Sequence, residues 1–296
     1  MNTLTMRMLG LAAAAVLLWS CQKKTGSSTR FEAGVPLGKP VTSELAEASG
    51  LVASAANPGL LWTHNDSGNP ASVYLISPEG EIKMTCHLAG ITNRDWEDIA
   101  LGTGPDSSKS YVYVADIGDN MAQYAVKILY RFEEPVLGDA EKEITTFDTL
   151  YVKLDDGVRD TEALMIDPIA HGMYMLSKRE DSVHFYKIDY PYEGDTLTGR
   201  FRVKLPFHNI CAADISADGK EVVIKDYDNI YYWTRPDGGP ISKLLQTPPE
   251  QLAYTRERQG EAIAFARDGS GFYTLSESVP EERARVIFFG RSGIKP

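Results

Sequence analysis

The sequence predicts an all-β fold built from one unit used five times. A short segment, in which a small or acidic pair opens an apolar run, recurs at Ser49-Gly50-Leu51-Val52, Asp95-Trp96-Glu97-Asp98-Ile99-Ala100, Thr161-Glu162-Ala163-Leu164, Ala213-Asp214-Ile215-Ser216 and Gly260-Glu261-Ala262-Ile263. A second apolar strand follows each one, then a third strand with alternating aromatics. No stretch keeps a helical apolar period, and the runs are bounded by Gly, Asn, Asp and Pro, the residues of tight turns.

The first residues read as an address. Arg7 precedes an apolar stretch at 9–19 that is too short to be kept as a membrane span. It ends in Leu18-Trp19-Ser20-Cys21, which resembles the bacterial lipobox, with Cys21 as the lipidated first residue of the mature chain. Residues 1–20 are thus expected to be a signal peptide, and 21–34 a lipidated cysteine and flexible tether rich in polar residues. This implies a membrane partner through the lipid anchor and a place in the cell envelope. In a Gram-negative host that place is the outer membrane, because no acidic residue follows Cys21.

Residues 35–296 are expected to form one domain. The second strands are read at 60–64, 111–115, 173–177, 222–225 and 272–276, and the third at 73–76, 128–132, 184–188, 230–233 and 286–289. Aligned on their apolar residues, the five motifs place Ser49, Glu97, Glu162, Ala213 and Glu261 at one position, at intervals of 48, 65, 51 and 48 residues. That period suits a four-stranded blade with its loops and predicts a five-bladed β-propeller. A sixth blade between residues 133 and 156 is the alternative. The fifth unit stops after three strands, so residues 35–42 are expected to supply its outer strand and close the ring.

The full chain carries a net charge of −11 and loses only Arg7 with the leader. An acidic chain with mixed charges and no basic block argues against nucleic-acid binding. Cys86 and Cys211 are expected to be separate buried thiols. The predicted state is a monomer.

In a propeller, the motif carboxylates and the residues after the second strands share one end of the central channel. Three glutamates there repel one another unless a cation lies among them. Ser49, Glu97, Glu162 and Glu261 are therefore the expected metal ligands, with Lys178, Arg179 or Lys225 as the alternative counter-charge, and oxygen donors from several blades suit Ca²⁺. His64, Asn65, Lys178, Arg179 and Lys225 are the expected ligand-binding residues, for an anionic small molecule or a glycan. Asp66 and Asp116 are the candidates for activating water.

The run Ser49-Gly50-Leu51, Asn65-Asp66-Ser67-Gly68, Asp95-Trp96-Glu97-Asp98-Ile99, Asp116-Ile117-Gly118-Asp119-Asn120, Glu162-Ala163-Leu164 and Arg258-Gln259-Gly260-Glu261-Ala262-Ile263 resembles a family of secreted bacterial propeller proteins without an assigned activity. More distantly the chain resembles the calcium-dependent nucleotidases of the apyrase type. Ser49, Glu97, Glu162 and Glu261 stand where that family places serine and glutamate ligands of a channel Ca²⁺, and Ala213 stands at a remaining serine position. Lys178, Arg179 and Lys225 resemble its basic residues, while Asn65-Asp66-Ser67-Gly68 resembles its Asp-rich turn without the arginine that follows there. The resemblance implies a channel cation and, as an alternative to a pure binding module, calcium-dependent phosphohydrolase chemistry. A glycosidase is a third reading.

Overall fold

The structure, a computed structural model, describes residues 30–293. The signal segment, Cys21 and most of the expected tether lie outside the described residues. Strand β1 (Val35–Pro36) comes first, followed by a 3₁₀ turn at Ser43–Leu45. The first meander is β2 (Ala48–Ala53), β3 (Leu61–Asn65), β4 (Ser72–Ile76) and β5 (Ile82–Leu88). The second is β6 (Trp96–Thr103), β7 (Ser110–Asp116) and β8 (Lys127–Glu133), then, after β9 (Glu141–Ile144), its outer strand β10 (Asp148–Leu154). The third is β11 (Thr161–Ile166), β12 (Met173–Ser177), β13 (Val183–Ile188) and β14 (Leu197–Leu205). In the fourth, β15 (Ile210–Ile215), β16 (Glu221–Asp226) and β17 (Ile230–Thr234) are followed by a short helix α1 (Ile241–Leu244) and by β18 (Glu250–Gln251). The fifth is β19 (Ala262–Phe265), β20 (Gly271–Leu275) and β21 (Ile287–Gly290). The chain is all-β.

The N-terminal segment completes the fifth meander: β1 pairs antiparallel with β21, Val35 opposite Phe288. Residues 133–156 form no separate unit. Their strand β9 adds in parallel to β5 of the first meander, and β10 pairs with β8 of the second. β10 also pairs in parallel with β14, which joins the second and third meanders into one eight-stranded sheet. The end strands of that sheet, β6 and β11, pack on each other as well, so it nearly closes on itself.

The innermost strands touch in cyclic order, β2 to β6 to β11 to β15 to β19 and back to β2. Apolar side chains fill the spaces between consecutive meanders. Trp62, Trp96 and Val114 pack between the first and second, Leu164, Met175 and Tyr186 between the second and third, and Leu176, Ile224 and Trp233 between the third and fourth. Val223, Ile263 and Phe272 fill the space between the fourth and fifth, and Leu51, Ala262 and Val286 the space between the fifth and first. The alternation along each strand sends successive side chains to the two neighbouring layers. Cys86 and Cys211 lie in this interior as free thiols.

Two buried carboxylates link inner strands. Asp98 on β6 accepts the N–H of Ile99 at 2.8 Å and that of Leu164 on β11 at 2.8 Å. Asp214 on β15 accepts the N–H of Ile215 and of Phe265 on β19, each at 2.8 Å. These bonds satisfy amides that the neighbouring strands leave unpaired toward the axis. Asp98 is expected to be a stability residue. Asp98→Ala should lower the urea midpoint by an amount equivalent to about 2–4 kcal/mol, whereas the exposed Asp139→Ala should stay within about 0.5 kcal/mol. Equal midpoints for the two variants would contradict the linking role.

A candidate cation centre at the mouth of the axis

Beta-bulges set the geometry of this end of the axis. In β6 the pairing shifts between Trp96 and Asp98, and in β11 between Thr161 and Ala163, which makes Glu97 and Glu162 the inserted residues. A bulge re-aims the side chain of its inserted residue, and both glutamates are at least 95 % buried at the mouth, with exposures of 5 % and 2 %. The same shift falls at Gly50 in β2 and at Cys211 in β15. Glu261 immediately precedes β19, where Ala262 pairs with Leu275.

This corrects the alignment at two positions. The ring position of the first unit belongs to Gly50 and that of the fourth to Cys211, not to Ser49 and Ala213. Gly50 takes the bulge with φ +72°, and a Cβ there would lie 2.7 Å from His64 Nε2 and 2.9 Å from Asp98 Cα. Ser49 therefore faces the neighbouring strand, and its Oγ donates to the Glu97 carbonyl at 2.8 Å. It is an inter-strand bond, not a ligand at the mouth.

Six carboxyl groups and one ammonium share the mouth. Ligand oxygens of Asp66, Asp95 and Glu97 all lie within 4.8 Å of one another, and so do those of Asp66, Glu261 and Glu277. Asp66 belongs to both groups. Lys178 Nζ sits 2.9 Å from Glu162 Oε2, 4.0 Å from Glu261 Oε1 and 5.3 Å above the Tyr227 ring. The Tyr227 hydroxyl donates to Glu261. Gly118 leaves the space in which Asp95 and Glu97 meet: a Cβ there would lie 2.5 Å from Asp95 Oδ2 and overlap the Glu97 carboxylate. Gln259, in the left-handed region with φ +50°, accepts the Glu277 N–H at 2.9 Å and holds that segment against the loop that leads to Glu261.

Burial, joined at most members by like-charge crowding, raises every carboxyl of the mouth for which a shift is resolved. Burial, then Glu162 and Asp66, drive the Glu97 carboxyl well above its usual range. Burial lifts Glu162 to about 7 against the pull of Lys178. Asp95 is pushed to about 6 by burial, Asp66 and Asp160, and Glu277 to about 8 by burial, Glu261 and Asp66. Asp66 is raised by burial and by Glu261. Burial opposes the charge on Lys178, but Glu162, Glu261, Tyr227 and Glu97 outweigh it and hold the ammonium well above its ordinary value.

The remaining expected site residues lie elsewhere. His64 is fully buried, its Nδ1–H donates to the Asn65 carbonyl at 3.0 Å, and its ring meets Trp96 edge-on at 5.7 Å. Burial lowers it to about 4, so it is a neutral core residue. The Asn65 carboxamide donates to the Glu44 carbonyl at 2.8 Å and accepts the Glu47 N–H at 3.2 Å, which ties down the entry to the first meander. Asp116 is buried and ion-paired with Arg94 at 3.0 Å, while Arg94 Nη2 donates to its carbonyl at 2.9 Å. Arg179 is committed to Asp160 at 2.6 Å. Lys225 points to the other side of its strand and is fully buried between the fourth and fifth meanders, where it donates to the carbonyls of Gly260 and Asp226. Asp95, Tyr227 and Glu277 join the site without having been expected as ligands. Tyr227 follows β16 as Lys178 follows β12, and that offset from the end of the second strand is the pattern by which it was findable.

The donor set is all oxygen, anionic and drawn from several strands, as hard divalent cations require. No family description and no curated protein matches this sequence.

The raised carboxyls fix the sign of a pH effect. Each holds its proton to higher pH in the folded state than in the unfolded one. The folded state therefore binds more protons between about pH 4 and pH 8, and stability falls as pH rises through that window. Asp119 and Asp156 are lowered instead, and their opposite contribution lies below about pH 4; His64, lowered to about 4, opposes the trend between about pH 4 and pH 6.5 but is one group against several raised carboxyls. In the presence of chelator the thermal midpoint is expected to be several degrees lower at about pH 8.5 than at about pH 5. A midpoint that rises across the same range would contradict the charge crowding.

Proposed function

We propose that the chain is a lipid-anchored, extracytoplasmic five-bladed β-propeller that binds a cation of the Ca²⁺ type at the mouth of its axis, and an anionic or polyhydroxylated ligand on the same face. The cyclic packing of five inner strands supports the propeller reading. The sequence resemblance to secreted bacterial propeller proteins and to calcium-dependent nucleotidases points the same way, and the lipobox-like Cys21 supports the anchor.

One observation carries the cation. Asp66 is shared by two carboxylate groups whose oxygens lie within 4.8 Å of one another, and Lys178, paired with Glu162 and near Glu261, is the only lysine or arginine ion-paired to any of the six among the described residues. Like charges at these separations either hold protons or hold a cation. The ligands proposed are Asp66 with Asp95 and Glu97 on one side, or with Glu261 and Glu277 on the other. Glu162 is assigned instead to Lys178.

Calcium-dependent phosphohydrolysis is the second reading, and its support is the position of Asp66. With Asp116 engaged by Arg94, Asp66 is the one of the two expected acids still placed to orient water beside a bound cation. The cation would polarise a phosphoryl oxygen. Isothermal titration of chelator-treated protein with calcium is expected to show binding that Asp66→Asn weakens tenfold or more, about 1.4 kcal/mol. Wild-type protein that takes up no calcium, or a variant with unchanged affinity, would reject the cation reading. Phosphate release from a nucleotide panel separates the hydrolase from the binding module.

A further inference from the structure

An anionic ligand at this face needs cationic groups, and those nearest the axis are already engaged. Lys178 is held by Glu162 at 2.9 Å, Arg179 by Asp160 at 2.6 Å, Arg94 by Asp116 at 3.0 Å and Lys127 by Asp119 at 3.2 Å. Lys225 is fully buried.

A groove of about 590 Å³ on the fifth meander contains different basic groups. It is lined by Glu277 of the mouth cluster and by Arg256, Arg258, Arg283 and Arg285, with Phe289 among its apolar lining residues. Its volume is that of a small-molecule site. Arg283 and Arg285 alternate with buried Ala284 and Val286 in the segment leading to β21, so both project to the same outer side. Each is anchored by a backbone carbonyl, Arg283 Nη2 to Val41 and Arg285 Nη1 to Gly38 at 3.1 Å. Neither has a carboxylate partner among the described residues. A guanidinium carries five N–H donors, so each keeps most of its fork for a ligand.

The acidic residues of the groove do not cancel this pair. Glu281 is engaged by Arg258 at 3.5 Å. Glu257 is turned inward, where it receives the Tyr254 hydroxyl at 3.1 Å. Glu277 lies in the mouth cluster. Glu282 also lines the groove, and among the described residues no ion pair joins it to Arg283 or Arg285.

We propose that this groove is the anion subsite of the mouth, and that it takes a small molecule bearing a phosphate or carboxylate. The oxyanion lies across Arg283 and Arg285, and the body of the ligand extends toward Glu277 and the cation. Paired guanidiniums recognise planar or tetrahedral oxyanions through parallel N–H bonds. The proposal rests on the reading of the mouth as a cation site for the direction in which the ligand lies, but not for the arginine pair.

The test is isothermal titration of the full-length protein with inorganic phosphate and, separately, with malonate, each with calcium and with chelator. Wild-type protein is compared with the Arg283→Gln/Arg285→Gln double variant and with the single Arg285→Gln variant, whose altered side chain is exposed. At least one of the two anions is expected to bind, and which one distinguishes a phosphate from a carboxylate ligand. The double variant should lose tenfold or more in that affinity and the single variant a smaller factor, with calcium affinity and thermal midpoint unchanged. Wild-type protein that binds neither anion overturns the proposal, as do variants that bind as wild type does. Anion binding that depends on the arginines in a protein that takes up no calcium keeps the groove and rejects the cation at the mouth. Calcium binding with no effect of the arginines does the reverse.

Discussion

Six carboxyl groups and one ammonium share the mouth where five inner strands meet, Glu97, Glu162 and Glu261 buried and Asp66, Asp95 and Glu277 half-buried. Coulomb repulsion grows as the local dielectric falls, and burial removes the hydration that would offset it. Lys178 neutralises Glu162 and stands near Glu261, but it cannot answer for Asp66, Asp95, Glu97 and Glu277 as well. The rest must keep protons or share a cation. The raised values of Asp95, Glu162 and Glu277 describe the first solution, and the oxygen cage around Asp66 is suited to the second.

The fold creates this condition through small local devices. Bulges at Glu97 and Glu162 turn two side chains out of strands that are otherwise mostly apolar. Gly118 leaves room for Asp95 and Glu97 to meet. Asp98 on β6 and Asp214 on β15 accept amides from the next inner strand and keep the strands in place. Charged groups thus serve two ends: those that accept two backbone N–H bonds hold strands together, and those that accept at most one among the described residues define a site. The distinction is the number of fixed donors each carboxylate receives, not its burial.

Much of the architecture was legible because it follows from periodicity. The five repeats and their second and third strands rest on apolar alternation and turn residues, and the pairing of the N-terminal segment with the last strand rests on a fifth unit one strand short. The site was legible only in part. Alignment by apolar residues cannot see an inserted residue, so Ser49 stood in for Gly50 and Ala213 for Cys211. Glu97, Glu162 and Glu261 escaped that error because in their units the bulge or strand start falls on the acid itself. Lys178 and Lys225 look equivalent because each stands at the end of a second strand. One lies just past the end of its strand and the other just inside it, which sends them to different sides. His64 and Asn65 were read as facing the ligand because they end a second strand. The close approach of Gly50 and the Trp96 ring instead enclose His64, a contact between units that no local pattern encodes.

The central claim is that a cation occupies the carboxylate mouth, and electron density tests it most directly. Crystals grown with calcium, at a wavelength that reveals its anomalous signal, should show a peak about 2.3–2.6 Å from oxygens of Asp66 and at least two of Asp95, Glu97, Glu261 and Glu277. Lys178 should remain on Glu162. A mouth that contains only water at saturating calcium, with Asp66 turned to solvent, would contradict the account.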